Sequence, residues 1–353
     1  MDKIFAEMFA KEPDEIINGD YFYHLSYHKE WMAELNKLVG VSLEEQDKRT
    51  KSVTEHFFCD RFPNITLQGK VHGYHDERWV ENIKGKNKDI KIAEIFNQII
   101  FGNKPFMEIA SGSGMGITPY IIKMNPKIPC LVTDITTSVI KYLRLFINKN
   151  STEYNVNFAS FDNLDMPLKN ESLEYITSYQ GITSSVGKPA EKSYRYPANK
   201  EKSIAEVYRV LKPGGYFITL ESNEECDYDL QKLFSNYNQR GKLFGIYSYD
   251  EIQAVLSLFI EEPWRDKFVS AGFHIEFEKK YPSSYSLRDV MNFLHNFTNY
   301  HGIRRWEKIN WEEQRRAENF VWDFNKDELE NVGMDLYHVD TFFVLRKPCN
   351  QKR

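Results

Sequence analysis

Residues 106–120, FMEIASGSGMGITPY, place a short apolar run directly before three alternate glycines, Gly112, Gly114 and Gly116, with a second apolar segment behind them. Glycine reaches left-handed backbone angles that other residues avoid, and it lets a ligand or a neighbouring chain approach the main chain with no Cβ in the way. The stretch therefore reads as a strand, a loop built for close contact, and a helix. From residue 105 onward the same rhythm continues through PFMEIA, ITPYIIKMN, IPCLVTDI, TSVIKYLRLFINKN, NVNFASFD, SLEYITSYQ, EKSIAEVYRVLK and GYFITLES. Short apolar runs alternating with helical patterns predict βαβ units, hence a parallel sheet with helices on both faces. Right-handed crossovers then gather the loops at the strand carboxyl ends along one edge, where ligands bind.

Upstream, DIKIAEIFNQIIFGN sets Ile92, Ile95, Phe96, Ile99 and Ile100 on one helical face, with Gly102 and Asn103 as a stop. Residues 1–88 read as a polar, helical extension, with a capping box at Ser42 and Glu45. After Ser222 the rhythm breaks into the helical stretches CDYDLQKLFSNYNQRG and SYDEIQAVLSLFIEE, before FVSAGFHIEFEKKY restores a helix, a glycine turn and a strand. A further helical insertion, with Leu287, Val290, Met291, Leu294 and Phe297 on one face, precedes a last apolar strand, MDLYHVDTFFVLRKP. The expected organisation is a helical N-terminal extension over 1–88 and a cofactor-binding core over 89–222. A helical insertion over 223–262, a core helix and strand over 263–285, a helical cap over 286–333, and a final strand and tail over 334–353 complete it.

Composition narrows the function. With 353 residues, 41% of them hydrophobic, the chain can bury a large core. A formal charge of −5 lacks the basic excess that neutralises many phosphates, so a nucleic-acid partner is disfavoured. Cys59, Cys130, Cys226 and Cys349 show no CxxC spacing, which points away from a zinc site or a disulfide framework and towards the reducing cytoplasm. His72, His75 and Asp76 lack a fourth ligand, and no metal site is predicted. The first twenty residues interrupt their apolar positions with charges, unlike a secretory segment, and no later run reaches the length of a membrane span.

The glycine loop separates two nucleotide readings. A dinucleotide fingerprint counted from Gly112 and Gly114 would end on Ile117, where glycine or alanine is needed, and no Gly-Lys-Ser/Thr of a phosphate loop follows. EIASGSGMG instead resembles motif I of the class I S-adenosylmethionine-dependent methyltransferases, with Glu108 at the acidic place and Ala110 where that family often has its first glycine. Asp134, ending CLVTDI, falls at the family's ribose-binding acid. FASFDNLDMPL resembles the third motif, in which Asp162 faces the adenine amino group and the Asn163 amide meets a ring nitrogen. EVYRVLKPGGYFITL resembles the family's helix, turn and fifth strand. The resemblance covers about residues 90–222, with SAGFHIEF and the final strand as weaker matches, and it is closest to the broad group containing ubiquinone and menaquinone biosynthesis enzymes. It implies a Rossmann-like, mostly parallel seven-stranded α/β sheet whose last strand, at about 336–347, runs antiparallel.

The resemblance also implies roles. Gly112, Gly114 and Gly116 would approach the methionine portion of S-adenosylmethionine, Glu108 would hold that loop or the amino group, and Ala110, Ser111 and Ile135 would line the same place. Tyr179 and Gln180, in SYQGITSS, would lie near the acceptor, and Tyr74 would cover the cofactor. An oxygen acceptor of high pKa would want a base, for which His301 and His75 are the candidates. The Asn/Asp-Pro-Pro-Tyr/Phe motif of many nucleobase and glutamine methylases is absent. Tyr300, Trp306, Trp311, Phe320 and Trp322 make 286–333 either a cover for the sheet or an acceptor lid. The expected activity is methyl transfer to a small-molecule acceptor by in-line displacement. Its rivals are a protein or RNA acceptor, a nicotinamide-dependent oxidoreductase, and a non-catalytic cofactor-binding module. Oligomeric state is left open.

Overall fold

Nine strands join in one sheet among the residues described by the computed structural model, namely 1–25, 42–61, 86–99, 104–112, 115–150, 154–183, 199–226, 262–285 and 336–349. The strands are β1 (Glu15–Ile17), β2 (Asp20–Phe22), β3 (Phe106–Ile109), β4 (Cys130–Asp134), β5 (Val156–Ser160), β6 (Leu173–Tyr179), β7 (Leu211–Cys226), β8 (His274–Tyr285) and β9 (Leu336–Arg346). Their order across the sheet is β1-β2-β5-β4-β3-β6-β7-β9-β8. Every neighbouring pair from β2 to β7 is parallel, and β9 lies antiparallel between β7 and β8. The seven strands from β3 to β9 are the mostly parallel α/β sheet expected, with its antiparallel last strand.

Side-chain alternation along the strands builds two cores, one on each face. Phe106, Cys130, Val132 and Ile218 point to the face covered by α3 (Lys86–Ile99), α4 (Thr118–Met124) and α5 (Thr137–Asn150). Met107, Ile109, Leu131 and Phe217 point to the other, covered by α1 (Lys3–Ala6), α6 (Lys200–Val210) and α7 (Trp264–Ser270). Burial on both sides explains why the central strands read as continuous apolar runs. On α3, Ile92 and Phe96 are fully buried and Ile95 and Ile99 pack beside them, as the periodicity predicts. The helix α2 (Leu43–Arg61) starts with the expected cap, the Glu45 amide donating to Ser42 Oγ at 3.1 Å.

The N-terminal extension departs from expectation. Residues 15–22 are a β-hairpin, where helix alone was predicted over 1–88. Asn18 and Gly19 form its turn with φ of 53° and 84°. Two successive left-handed residues match the twist of paired strands, and Asn-Gly is a favoured pair for them. β2 then adds to the edge of β5, with Tyr21 opposite Ala159 and Phe22 opposite Ser160. Asp20, 2% exposed, is held by the guanidinium of Arg144 from α5, with Nε donating at 2.7 Å. β7 and β8 also run beyond the lengths expected, because past the parallel sheet they keep pairing with β9.

Candidate functional site

The strand order reverses at β3: the chain passes from β3 to β4 and β5 on one side, then to β6 and β7 on the other. Loops leaving β3 and β6 diverge there, and this is where open α/β sheets bind ligands. Because these strands are parallel, the residues following β3, β4, β5 and β6 all lie on one edge. They include Ala110, Ser111, Gly112, Asp134, Ile135, Asp162, Asn163 and Tyr179.

Glu108 organises the glycine loop from beneath. It is fully buried near the end of β3, and its carboxylate accepts from the Ile117 amide (3.1 Å), the Thr118 amide (3.0 Å) and the Thr118 hydroxyl. These donors sit at the start of α4, whose N-cap residue, Ile117, offers no side-chain cap of its own. A carboxylate there satisfies otherwise unpaired amides and suits the positive end of the helix dipole. The carboxylate thereby ties the start of α4 to β3. Gly116 follows from it. Its φ is +51°, and a Cβ built there would sit 1.7 Å from Glu108 Oε1. Gly112 differs, since its φ is +56° but a Cβ would meet nothing within 4 Å among the described residues.

Asp134 locks the loop from the side. Its Oδ2 accepts from the Gly112 amide at 2.9 Å and its Oδ1 from the Thr136 amide at 2.8 Å. These two bonds fix the orientation of the carboxylate at the end of β4. The Ser111 amide donates to the Thr133 carbonyl at 2.9 Å, continuing the β3–β4 pairing into the loop. Asp162, 7% exposed, forms a local turn in which Oδ1 accepts from the Leu164 amide at 2.9 Å, beside Asn163, which is 8% exposed. The Asp134 carbonyl takes the Phe161 amide at 3.2 Å, tying the second loop to the third. Ala110, in the family's usual glycine place, takes φ of 48°, so the left-handed angle persists without glycine. Met115 and Gln180 are also left-handed, at 57° each. Such angles persist only where surrounding contacts over-determine them, and they gather at functional sites.

One residue on this edge escaped the sequence reading. Glu221, in β7, is fully buried and accepts hydrogen bonds from the loop after β6. The available signal was an acid inside the otherwise apolar run GYFITLES. Of the remaining candidates, Gly114, Tyr74, His75 and His301 lie outside the described residues, as do His72 and Asp76. Most of the 223–262 insertion and all of the 286–333 insertion lie there too. Among the described residues no helix is long and apolar enough to cross a membrane.

The arrangement fits S-adenosylmethionine: among the described residues the space facing the Gly112 Cα is open, on a loop whose Gly112 amide is held by the Asp134 carboxylate and whose far end is fixed by Glu108. Sequence comparison with known proteins agrees. A family model describing a methyltransferase domain matches residues 100–267. The ubiquinone/menaquinone biosynthesis C-methyltransferase UbiE of Ruegeria sp. (strain TM1040) is 23% identical over 236 residues, covering 62% of this chain and 89% of that protein. The UbiE of Stutzerimonas stutzeri (strain A1501) is 26% identical over 137 residues, covering 39% of this chain and 48% of that protein, so the alignment spans only about half of the latter. Among solved structures, the phosphoethanolamine N-methyltransferase 2 of Haemonchus contortus in complex with S-adenosyl-L-methionine aligns with a TM-score of 0.44 at 15% identity, over 77% of this chain and 56% of that one. Glycine loop, acidic partners, strand order and family match converge: the chain carries a class I S-adenosylmethionine-dependent methyltransferase domain, and S-adenosylmethionine is its cofactor.

Proposed function

We propose that the chain methylates a small-molecule acceptor, in the cytoplasm, by in-line displacement, and that the residues on the loop edge divide the work of holding cofactor and acceptor. Bound S-adenosylmethionine supplies a methyl group already activated by its sulfonium. The protein's tasks are therefore alignment and exclusion of water. In this reading the main chain of residues 110–116 lies against the methionine portion, and Glu108 keeps that loop rigid. Asp134 accepts from the ribose hydroxyls, and Asp162 accepts from the adenine amino group beside the Asn163 amide. Ser111 and Ile135 line the same space, and Tyr179 and Gln180 border the acceptor. His301 or His75 serves as base if the acceptor is a hydroxyl of high pKa, and Tyr74 covers the cofactor.

The observation that carries this reading is the pair of buried carboxylates at successive strand ends, Asp134, which holds the Gly112 amide, and Asp162. A small acceptor is favoured by the relatives named for ubiquinone and menaquinone biosynthesis and by the formal charge of −5, which suits a nucleic acid poorly. The test is incubation of purified protein with methyl-labelled S-adenosylmethionine and separate metabolite, protein and RNA fractions of a cell extract. Label in the metabolite fraction is expected. Label only in protein or RNA would overturn the small-molecule assignment, and no label in any fraction would favour a binding module. Asp134→Ala is expected to weaken S-adenosylhomocysteine binding by about 1–3 kcal/mol, the worth of charge-assisted hydrogen bonds. Unchanged affinity by calorimetry would remove Asp134 from the site.

A further inference from the structure

Glu221 sits inside the sheet with no exposed surface, in the strand next to β6. Its Oε1 accepts from the Thr219 hydroxyl at 2.5 Å, the Ser178 hydroxyl at 3.3 Å and the Ile182 amide at 3.3 Å. Its Oε2 accepts from the Thr183 amide and hydroxyl, each at 2.8 Å. Three of these donors belong to residues 182–183, and Ser178 relays the carboxylate to the turn by accepting from the Gly181 amide at 3.0 Å. A buried carboxylate is costly unless so surrounded, and here burial pushes its carboxyl above the ordinary range against the pull of these donors.

The turn so gripped is strained and touches the glycine loop. Gln180 has φ of 57°, with its amide on the Leu220 carbonyl at 2.6 Å. A Cβ built on Gly181 would lie 3.0 Å from both the Ala110 Cβ and the Ile109 carbonyl oxygen, so the turn's backbone packs directly on the start of that loop. The Cβ of Tyr179, one residue before Gln180, would lie 3.2 Å from a Cβ built on Gly116. Glu221 and Glu108 thus perform matching tasks from the strands flanking β6, one for each of the two loops that diverge at the reversal of strand order.

We propose that Glu221 is a positioning residue for the cofactor site, holding the turn of residues 178–183 against the glycine loop and thereby setting the affinity for S-adenosylmethionine. The proposal rests on the placement of the cofactor's methionine portion along residues 110–116. It asks more of Glu221 than stability, and the test separates the two.

Calorimetry with S-adenosylhomocysteine is run on the full chain, on E221Q, on T183V and on F273L. The amide replacing one carboxylate oxygen in E221Q turns an acceptor into a donor, which cannot serve every group now facing Glu221, among them the fixed amides of Ile182 and Thr183. Phe273 is a buried core residue packed on Tyr208, Phe217 and Phe268, and it supplies a destabilised control whose ring contacts lie outside residues 178–183. The expected result is a Kd raised at least tenfold in E221Q and about threefold in T183V, with faster amide exchange at residues 181–183 in both. In F273L the affinity stays within twofold of wild type despite a lowered Tm. T183V keeps the carboxylate in place and decides the matter if E221Q does not fold. Wild-type affinity in T183V and E221Q, or a loss in F273L as large as theirs, overturns the inference alone. Failure of the wild-type chain to bind S-adenosylhomocysteine overturns the cofactor placement and this inference with it.

Discussion

Substituting alanine at Gly116 and at Gly112 separates two reasons for a glycine. Both residues are left-handed, at +51° and +56°, and an L side chain at such angles costs roughly 1–2 kcal/mol. At Gly112 that is the whole conformational cost, since the new Cβ meets no atom of the described residues within 4 Å. At Gly116 the new methyl falls 1.7 Å from Glu108 Oε1 and 2.7 Å from its Cδ, so the carboxylate must leave its place. Leaving breaks at least one of its bonds to the Ile117 and Thr118 donors, and a buried charge-assisted bond contributes roughly 1.5–3 kcal/mol. G116A is therefore expected to lose about 2.5–5 kcal/mol of unfolding free energy, and G112A about 1–2 kcal/mol. Binding should reverse the ranking relative to stability. G112A sets a methyl into the open space on the loop where the cofactor is proposed to lie, and should weaken S-adenosylhomocysteine binding at least tenfold for its small loss of stability. Urea denaturation and calorimetry on the two variants measure both quantities. Equal destabilisation by the two substitutions would refute the account of Glu108 as the reason for Gly116, and undiminished binding in G112A would refute the account of Gly112.

Ala110→Gly should stabilise the protein by about 0.5–1 kcal/mol, because relief of the left-handed alanine exceeds the extra chain entropy of glycine; a loss in urea denaturation would contradict this. Glu224, half-buried with an unpartnered Oε2, has its carboxyl pushed up to about 7, chiefly by burial, with the Lys280 ammonium opposing and Glu278 adding to the rise. A carboxyl raised in the folded state binds more protons folded than unfolded, so its contribution is complete below about pH 4.5 and is lost as pH rises through about 7. E224Q, which does not titrate, should match wild type near pH 4.5 and exceed it by on the order of 1 kcal/mol at pH 8, allowing for solvent screening. A difference that is constant with pH in denaturation curves would remove Glu224 as its source.

The βαβ rhythm from residue 105 was legible because buried parallel strands are uniformly apolar and their helices are one-sided. Phe106 to Ile109 and Ile92 to Ile99 carry those two signatures. The acids were legible by position: Glu108, Asp134 and Asp162 each stand at the end of, or just beyond, an apolar run. Their partners were not. That Asp134 accepts from Gly112 depends on β3 and β4 lying side by side, and that Glu108 accepts from Thr118 depends on the glycine loop bringing the start of α4 back over β3; no local pattern states either. Glu221 was hidden for the same reason, since its donors in the turn after β6, Ile182 and Thr183, stand 39 and 38 residues away in sequence. The hairpin was missed although its signal was local. The Asn18-Gly19 pair lies between the apolar positions of EII and DYF, but three-residue strands carry too little periodicity to stand out in a polar segment.

That hairpin changes the border of the molecule. Without it, five-residue β5 would present its outer row of amides and carbonyls as a template for a foreign strand. With β2 seated there, the outermost strand on that side is β1, three residues long and led by a glutamate, with Ile16 59% exposed. Short, charged borders offer little length for intermolecular zippering. The extension thus leaves little of this border open to a foreign strand, and it does so at the carboxyl end of β5, the end from which the Asp162 loop departs.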